Sequence, residues 1–210
     1  LQNILNQELK FSEDTGDNGI YDLQGAAVCI DNETGLVTAI IGGRTQEYDG
    51  YMFNRAYQAY RQPGSAIKPV LVYAPYLIAG HMPDEIIDDS YMPGGPKNVD
   101  DTYRGLITLT EALGYSTNVP AWKIMESLTP ETAIQYLHAM NYAKINDDEH
   151  NMAISVGGFT YGVSPVELAA GYATLENNGT YRNPTCVSRI INSKGENIVN
   201  NPDEGYSVYT

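Results

Sequence analysis

The sequence predicts an α+β domain in which a small antiparallel sheet lobe stands beside a mostly helical lobe. Three observations predict it. The run GAAVCIDNETGLVTAIIGG places two β-rich stretches around a polar turn, the text from Ser65 to Asn178 is dominated by helix start and stop signals, and CVSRIINSKGENIVN makes a second β-rich pair near the end. With 210 residues and 42% hydrophobic content the chain can bury a sizeable core in one domain or two small lobes.

Residues 1–21 read as a lead-in helix and linker. Leu1, Ile4, Leu5 and Leu9 recur at helical spacing until SEDTGDNG breaks the pattern. The first hairpin turns at Asn32, Glu33, Thr34 and Gly35, and it is the one strand pair expected in the first two-thirds of the chain. SAIKPVLVYAPYLIAG then predicts a helix with Ser65 in the N-cap region, a proline in the first turn, a kink or early end at Pro75, and a stop at Gly80. Gly80 to Gly105, rich in Asp, Pro, Gly and Tyr, reads as an irregular surface connection. ITLTEALGY predicts a helix that breaks at Ser116-Thr117-Asn118 before VPAWKIMESL resumes, and Thr129, Pro130 and Glu131 open another through Met140. Ser164, Pro165 and Glu167 form a capping box with proline at the first helical position, for a helix ending near Asn178 and Gly179. The last hairpin turns at Lys194 and Gly195, and no internal repeat is visible.

Composition excludes several functions. A formal charge of −14 makes nucleic acid and anionic membrane surfaces poor partners. No stretch reaches the roughly 20 apolar residues of a spanning helix, and the opening LQNILNQELK has no starting Met, basic n-region or apolar h-region, so a processed or excised piece is expected. Cys29 and Cys186, far apart and without a CxxC pattern, read as buried free thiols, with a disulfide as the rival reading. His81, His138 and His150 lack ligand spacing and no HExxH occurs, so neither zinc nor a Ser-His-Asp triad is expected, and no cofactor is implied. Asp147, Asp148, Glu149 and His150 read as a solvated loop, and the 17 tyrosines as surface and interface packing, with some lining a groove.

Ser65 and Lys68, in RQPGSAIKP, are the chemically pointed pair. A spacing of three puts both side chains on one helix face, about 5–6 Å apart at Cβ. A serine hydroxyl needs a neighbouring base, and lysine serves if its surroundings keep it neutral. Ser65 at a helix start also faces backbone N–H groups that begin an oxyanion hole. The motif alone is weak, since chance supplies about 0.3 S-x-x-K matches in such a chain. Ser116 and Asn118 make a still weaker S-x-N, placed where a helix break lets a hydroxyl and a carboxamide project into a cleft. Taken singly, capping and solvation explain each of the four.

The longer strings decide otherwise. GAAVCIDNETGLVTAIIGGR, FNRAYQAYRQPGSAIKP, RGLITLTEALGYSTNVPAWKI and YGVSPVELAAGYATLENNGTY resemble, in order and spacing, the transpeptidase domain of class A penicillin-binding proteins over about residues 22–200. The resemblance implies a β-lactamase/transpeptidase-like fold for residues 22–210, as a partial domain whose sheet lobe is incomplete. It implies Ser65 as acylated nucleophile, Lys68 as its base, Ser116 as a proton relay to the leaving amine, and Asn118 as the carboxamide holding the substrate's peptide amide. The implied substrates are peptidoglycan stem peptides, with β-lactam antibiotics trapped as slow acyl analogues, on an extracytoplasmic face anchored through a segment outside this chain.

One family feature is absent. The third motif, K-T-G or K-S-G, does not occur, and Lys194-Gly195-Glu196 lies in the hairpin turn. Losing one oxyanion donor costs roughly 10²- to 10³-fold in rate. The remaining strands and closing helix are expected beyond Thr210 or in a second chain. The rival readings are a D,D-carboxypeptidase, with water as acceptor, and a non-catalytic module binding peptidoglycan or β-lactams.

Overall fold

The computed structural model describes residues 2–8, 21–44, 51–200 and 204–209. Helix α1 (Gln2–Glu8) carries no buried residue and is tied down by Gln2, whose side-chain amide donates to the Gly43 carbonyl at 3.0 Å. The expected linker at residues 9–20 lies outside the described residues. Strands β1 (Ala27–Ile30) and β2 (Val37–Ile41) pair antiparallel, and Asp31 holds their turn by accepting from the Thr34 N–H at 2.9 Å and hydroxyl at 2.7 Å. Helix α2 (Arg55–Gln58) follows, capped by the Asn54 side chain.

The segment expected as one helix from Ser65 is a continuous rod of three pitches. A 3₁₀ turn (Gly64–Ile67) leads into a π turn (Pro69–Tyr73) and then α3 (Ala74–Ile78). Its prolines set the pitch. Pro69 has no N–H for the Ser65 carbonyl, which accepts from the Lys68 N–H and closes a 3₁₀ turn. In the wider π turn the Ala74 N–H reaches the Pro69 carbonyl, so the next donor in that register is Pro75, which has none. The orphaned Val70 carbonyl accepts instead from the buried Tyr209 hydroxyl at 2.7 Å. Ser65 therefore lies inside the first turn, and Pro63 takes the N-cap place expected for it.

The connection after Gly80 is less irregular than expected. Strands β3 (Ile86–Asp89) and β4 (Gly105–Thr108) pair antiparallel there. At four residues each they are too short to show an alternation, and cross-strand pairing makes them strands. Helix α4 (Leu109–Gly114) starts from a capping box between Thr108 and Glu111. Helices α5 (Asn118–Leu128) and α6 (Pro130–Ala139) follow, then a 3₁₀ turn (Met152–Val156) and α7 (Pro165–Glu176), which opens on the expected Ser164–Glu167 capping box. Strand β5 (Thr180–Tyr181) pairs with β8 (Tyr206–Ser207), and β6 (Arg189–Ile191) with β7 (Asn197–Asn200) forms the expected last hairpin.

The core belongs to the helical lobe. Ile67, Val70 and Leu71 of the rod are fully buried against Ile124 and Met125 of α5, Ile134 and Leu137 of α6, and Ile154. The sheets among the described residues are four separate two-stranded pairs, so the β1–β2 hairpin has no third ladder strand. A cavity of about 980 Å³ opens between the β1 side and the start of the rod, lined by Ala26, Val28, Pro63, Ala66, Val163 and Tyr172.

Three expectations are corrected. Cys29 and Cys186 are free but exposed: Cys29 lies on a two-stranded hairpin with an open face, and Cys186 lies outside the strands, between the Thr185 bridge and β6. Tyr73, Tyr76, Tyr142, Tyr181 and Tyr209 belong to the core cluster, where tyrosine supplies ring area and a polar tip. Glu149 is buried, not solvated, and accepts from the Thr160 N–H, the Thr160 hydroxyl and the Asn151 amide. No group of three or more metal-ligating side chains occurs among the described residues.

The Tyr209–Val70 bond generates a prediction. Tyr209→Phe keeps the ring stacked on Tyr136 but leaves a buried carbonyl unpaired, which costs about 1–3 kcal/mol. Chemical denaturation should show that loss, whereas an unchanged midpoint would mean the carbonyl is satisfied some other way.

Candidate active site

The start of the rod is clamped at the level of its backbone. Arg61 and Val163 exchange N–H···O bonds of 3.1 and 2.9 Å, and the Gln62 carboxamide pairs in both directions with the Phe159 backbone. Glu149 fixes the other side of that loop through Thr160. Gly157 (φ +87°) lies so close to Gly64 that an added Cβ would sit 2.3 Å from the Gly64 carbonyl oxygen. From α7 the Tyr172 hydroxyl donates to the Ala66 carbonyl at 2.9 Å. Ser65 is thus held by its neighbours on both sides. Its side chain is half-buried, and its hydroxyl makes no hydrogen bond within the described residues.

Lys68, one turn on, is fully buried. Its Nζ donates to the Ser116 carbonyl at 2.7 Å, the Thr117 carbonyl at 3.0 Å and Asn118 Oδ1 at 2.7 Å, with Ser116 Oγ at 3.4 Å. Three close oxygens match the three N–H groups of an ammonium. Burial lowers the lysine pKa to about 8, partly opposed by the negative charge of Asp89. Near pH 7 about a tenth of the side chain is then neutral, and the neutral fraction rises through pH 8. Structurally, Lys68, Ser116 and Asn118 are brought together, while Ser65 approaches them through its place on the rod and not through a bond.

The break between α4 and α5 produces the oxygens. Ser116 has a left-handed backbone (φ +55°), uncommon outside glycine, and it ends α4 so that consecutive carbonyls leave the helical direction. The N-cap residue of α5, Thr117, does not cap it with its side chain, since its hydroxyl donates back to the Ala112 carbonyl at 3.2 Å. Asn98 takes over. Its Oδ1 accepts from the Asn118 N–H at 2.7 Å and the Val119 N–H at 3.3 Å, and its Nδ2 donates to Asp89 Oδ1 and the Thr102 carbonyl, each at 2.8 Å. Asp89 is fully buried and Asn98 nearly so. Neither was legible in the sequence, because both lie in the stretch read as an irregular connection. The stretch is rich in Asp, Pro, Gly and Tyr without periodicity, so no spacing rule singles either residue out.

Residues 25–206 match the family model described as the penicillin binding protein transpeptidase domain. The chain belongs to this family. It is 34% identical over 193 residues to penicillin-binding protein 4 of Bacillus subtilis, covering 90% of this chain and 31% of that protein. It is 39% identical over 191 residues to penicillin-binding protein 1F of the same organism, covering 89% and 26%. Among solved structures, penicillin-binding protein 1A from Haemophilus influenzae superposes with a TM-score of 0.70 at 26% identity, over 92% of this chain and 30% of that one. PonA1 from Mycobacterium tuberculosis in complex with penicillin V superposes at 0.69 with 25% identity, over 85% and 51%. The chain therefore spans less than a third of these curated relatives, and the α+β fold of penicillin-binding transpeptidase domains is the one it adopts.

In this transpeptidase domain the Gly64–Gly157 contact is a tight constraint on where Ser65 sits. Gly157→Ala should cost more than about 2 kcal/mol, from a left-handed backbone plus backbone overlap. Gly195→Ala is the control: its φ is +82° but a Cβ there meets nothing within 4 Å, so only the backbone term of roughly 1 kcal/mol remains. Equal denaturation midpoints for the two variants would remove the clamp from the account.

Proposed function

We propose that this chain carries the acyl-transfer site of a D,D-transpeptidase that cross-links peptidoglycan stem peptides and is inhibited by β-lactams. One observation carries the reading: a fully buried lysine with its pKa brought to about 8 stands one turn after a serine whose hydroxyl has no competing partner among the described residues. Family membership and the penicillin V complex of PonA1 support it. The site acts on the outer side of the cytoplasmic membrane, where the wall substrate lies.

In the first step Ser65 Oγ bonds to the carbonyl carbon of a D-Ala-D-Ala terminus while its proton passes to neutral Lys68. The carbon–nitrogen bond breaks, and the departing D-Ala amine takes a proton relayed from the Lys68 ammonium through Ser116 Oγ. In the second step a neighbouring stem's amine attacks the ester, gives up a proton along the same path and releases Ser65. Asn118 offers its carboxamide to the substrate's peptide amide, and Lys68 competes for its Oδ1 in the absence of substrate. Water in place of the amine would make the same site a D,D-carboxypeptidase.

A second reading, a non-catalytic β-lactam- or peptidoglycan-binding module, draws on the fact that Lys68 bonds three oxygens of the opposite turn and not Ser65. We also infer that the β1–β2 hairpin is completed by further strands of the domain, from the same chain or a second one, because two-stranded hairpins are marginal alone and the cavity beside β1 stands open. The 210-residue chain by itself should then acylate poorly, and supplying the rest of the domain should restore the rate.

Labelled penicillin separates the readings. In the full-length protein the adduct should map to Ser65 by mass spectrometry, and the acylation rate should rise with pH through about 8 as Lys68 loses its proton. Lys68→Arg keeps the charge but never becomes neutral near this pH, so acylation should fall about 10²- to 10⁴-fold. No adduct would support the binding module; an adduct on another serine would overturn the site.

A further inference from the structure

We propose that Asp89 and Asn98 are positioning residues for acylation, a buried carboxylate–carboxamide relay that fixes the Ser116–Asn118 turn on which Lys68 rests. The inference rests on the functional reading of Ser65 and Lys68 given above. None of the short sequence motifs contains either residue.

The geometry runs in one line. Asp89 ends β3 with its side chain turned inward, while Asp88 beside it faces outward onto Lys123 Nζ at 2.8 Å, as strand alternation requires. Asp89 Oδ2 accepts from the Arg104 N–H at 3.2 Å, leaving Oδ1 to accept from Asn98. An ionised carboxylate only accepts, so it fixes the Asn98 amide in one orientation, with Nδ2 toward Asp89 and Oδ1 toward α5. In that orientation Oδ1 caps the first two N–H groups of α5, one of them that of Asn118. With the amide reversed, Nδ2 would confront those N–H groups. The Asn118 side chain is oriented in turn by its Nδ2 donating to the neighbouring Lys97 carbonyl at 2.7 Å, which leaves Oδ1 for Lys68. The loop bearing Lys97 and Asn98 therefore sets both the backbone and the side chain of Asn118.

Asp89 also acts by charge. The charged and titratable groups that bear on Lys68 are Asp89 on β3 and, facing Asp89 in turn, Tyr73 on the rod and Arg104 ahead of β4, with the guanidinium 3.9 Å from Oδ2. Asp89 opposes the desolvation that lowers the Lys68 pKa. Removing its charge makes Lys68 neutral at lower pH, so the rising limb of the acylation profile moves acidward. A purely structural defect lowers the rate without moving that limb.

The test compares Asp89→Asn, Asn98→Ala, the exchange Asp89→Asn with Asn98→Asp, and Ser65→Ala in the full-length protein. The readouts are the second-order acylation rate with a fluorescent penicillin from pH 5 to 10 (roughly the span from unfavourable to full lysine deprotonation) and thermal melting. Asp89→Asn should acylate at least about tenfold more slowly at its plateau, with its limb shifted to lower pH. Asn98→Ala should slow acylation similarly and keep the limb in place. The exchange should recover part of the rate, because the carboxamide introduced on β3 can donate to a carboxylate that still caps α5. Single variants acylating within about twofold of the parent, or a slow Asp89→Asn with an unmoved limb, would overturn the proposal. Should Asp89→Asn fail to fold, Asn98→Ala and the exchange decide: folded variants at the parent rate overturn it, and a slow Asn98→Ala rescued by the exchange supports it. Labelling that survives Ser65→Ala would instead defeat the Ser65 reading, which keeps the two failures apart.

Discussion

A lysine ammonium buried in the helical core is the constraint on which the rest of this site depends. Taking such a charge out of water costs several kcal/mol unless oxygens replace its hydration. Here they come from three consecutive residues, Ser116 to Asn118. Two of those oxygens are backbone carbonyls, and to converge on one amine they have to turn out of the parallel direction that carbonyls keep in a helix. The chain breaks between α4 and α5, and the left-handed backbone at Ser116 makes the break there. What reads in the sequence as an interrupted helix is the receptor for a charge.

A receptor built from a turn is only as definite as the turn's own supports. Thr117, which could have capped α5, ties its hydroxyl back to α4 and holds the break closed. The cap then has to come from elsewhere, and Asn98 brings it from a loop between two four-residue strands. Buried polar groups in such a network must all be satisfied, and here each has its partners: Asp89 in Asn98 and Arg104, Asn98 in Asp89, Thr102 and α5. The price is burial of a carboxylate, offset by charge-assisted hydrogen bonds and by the nearby Lys68 and Arg104 cations.

The parts legible in the sequence were those fixed by local chemistry. The Ser164–Glu167 box, Thr129-Pro130, and the turns at Asn32 to Gly35 and at Gly195 each announce an element through residues that act within a few positions. The α+β class and the places of Ser65, Lys68, Ser116 and Asn118 followed from such signals and from longer matching strings. Parts fixed by distant partners were illegible. Strands β3 and β4 exist because they pair, the Asp89–Asn98 relay because the chain folds back over α5, and Glu149 is buried because Thr160 reaches it. Cys29 looked like a core thiol because its run is apolar, yet among the described residues its hairpin has no third strand and the thiol is exposed.

The pitch of the rod joins local and distant causes. In an α-helix, residues three apart are offset by about a sixth of a turn, whereas in a 3₁₀ turn they eclipse. Pro69, by withholding an N–H from the Ser65 carbonyl, favours the 3₁₀ turn, whose tighter pitch brings Ser65 nearer the line of Lys68 than an α-helix would. Pro75 carries the cost onward to Val70, where the Tyr209 hydroxyl meets it. Tyr209 follows β8, which pairs with β5, and β5 follows α7 in the chain. The alignment of a serine with its lysine, a local matter of three residues and a proline, is thus sustained by a tyrosine 139 positions away from the carbonyl it satisfies.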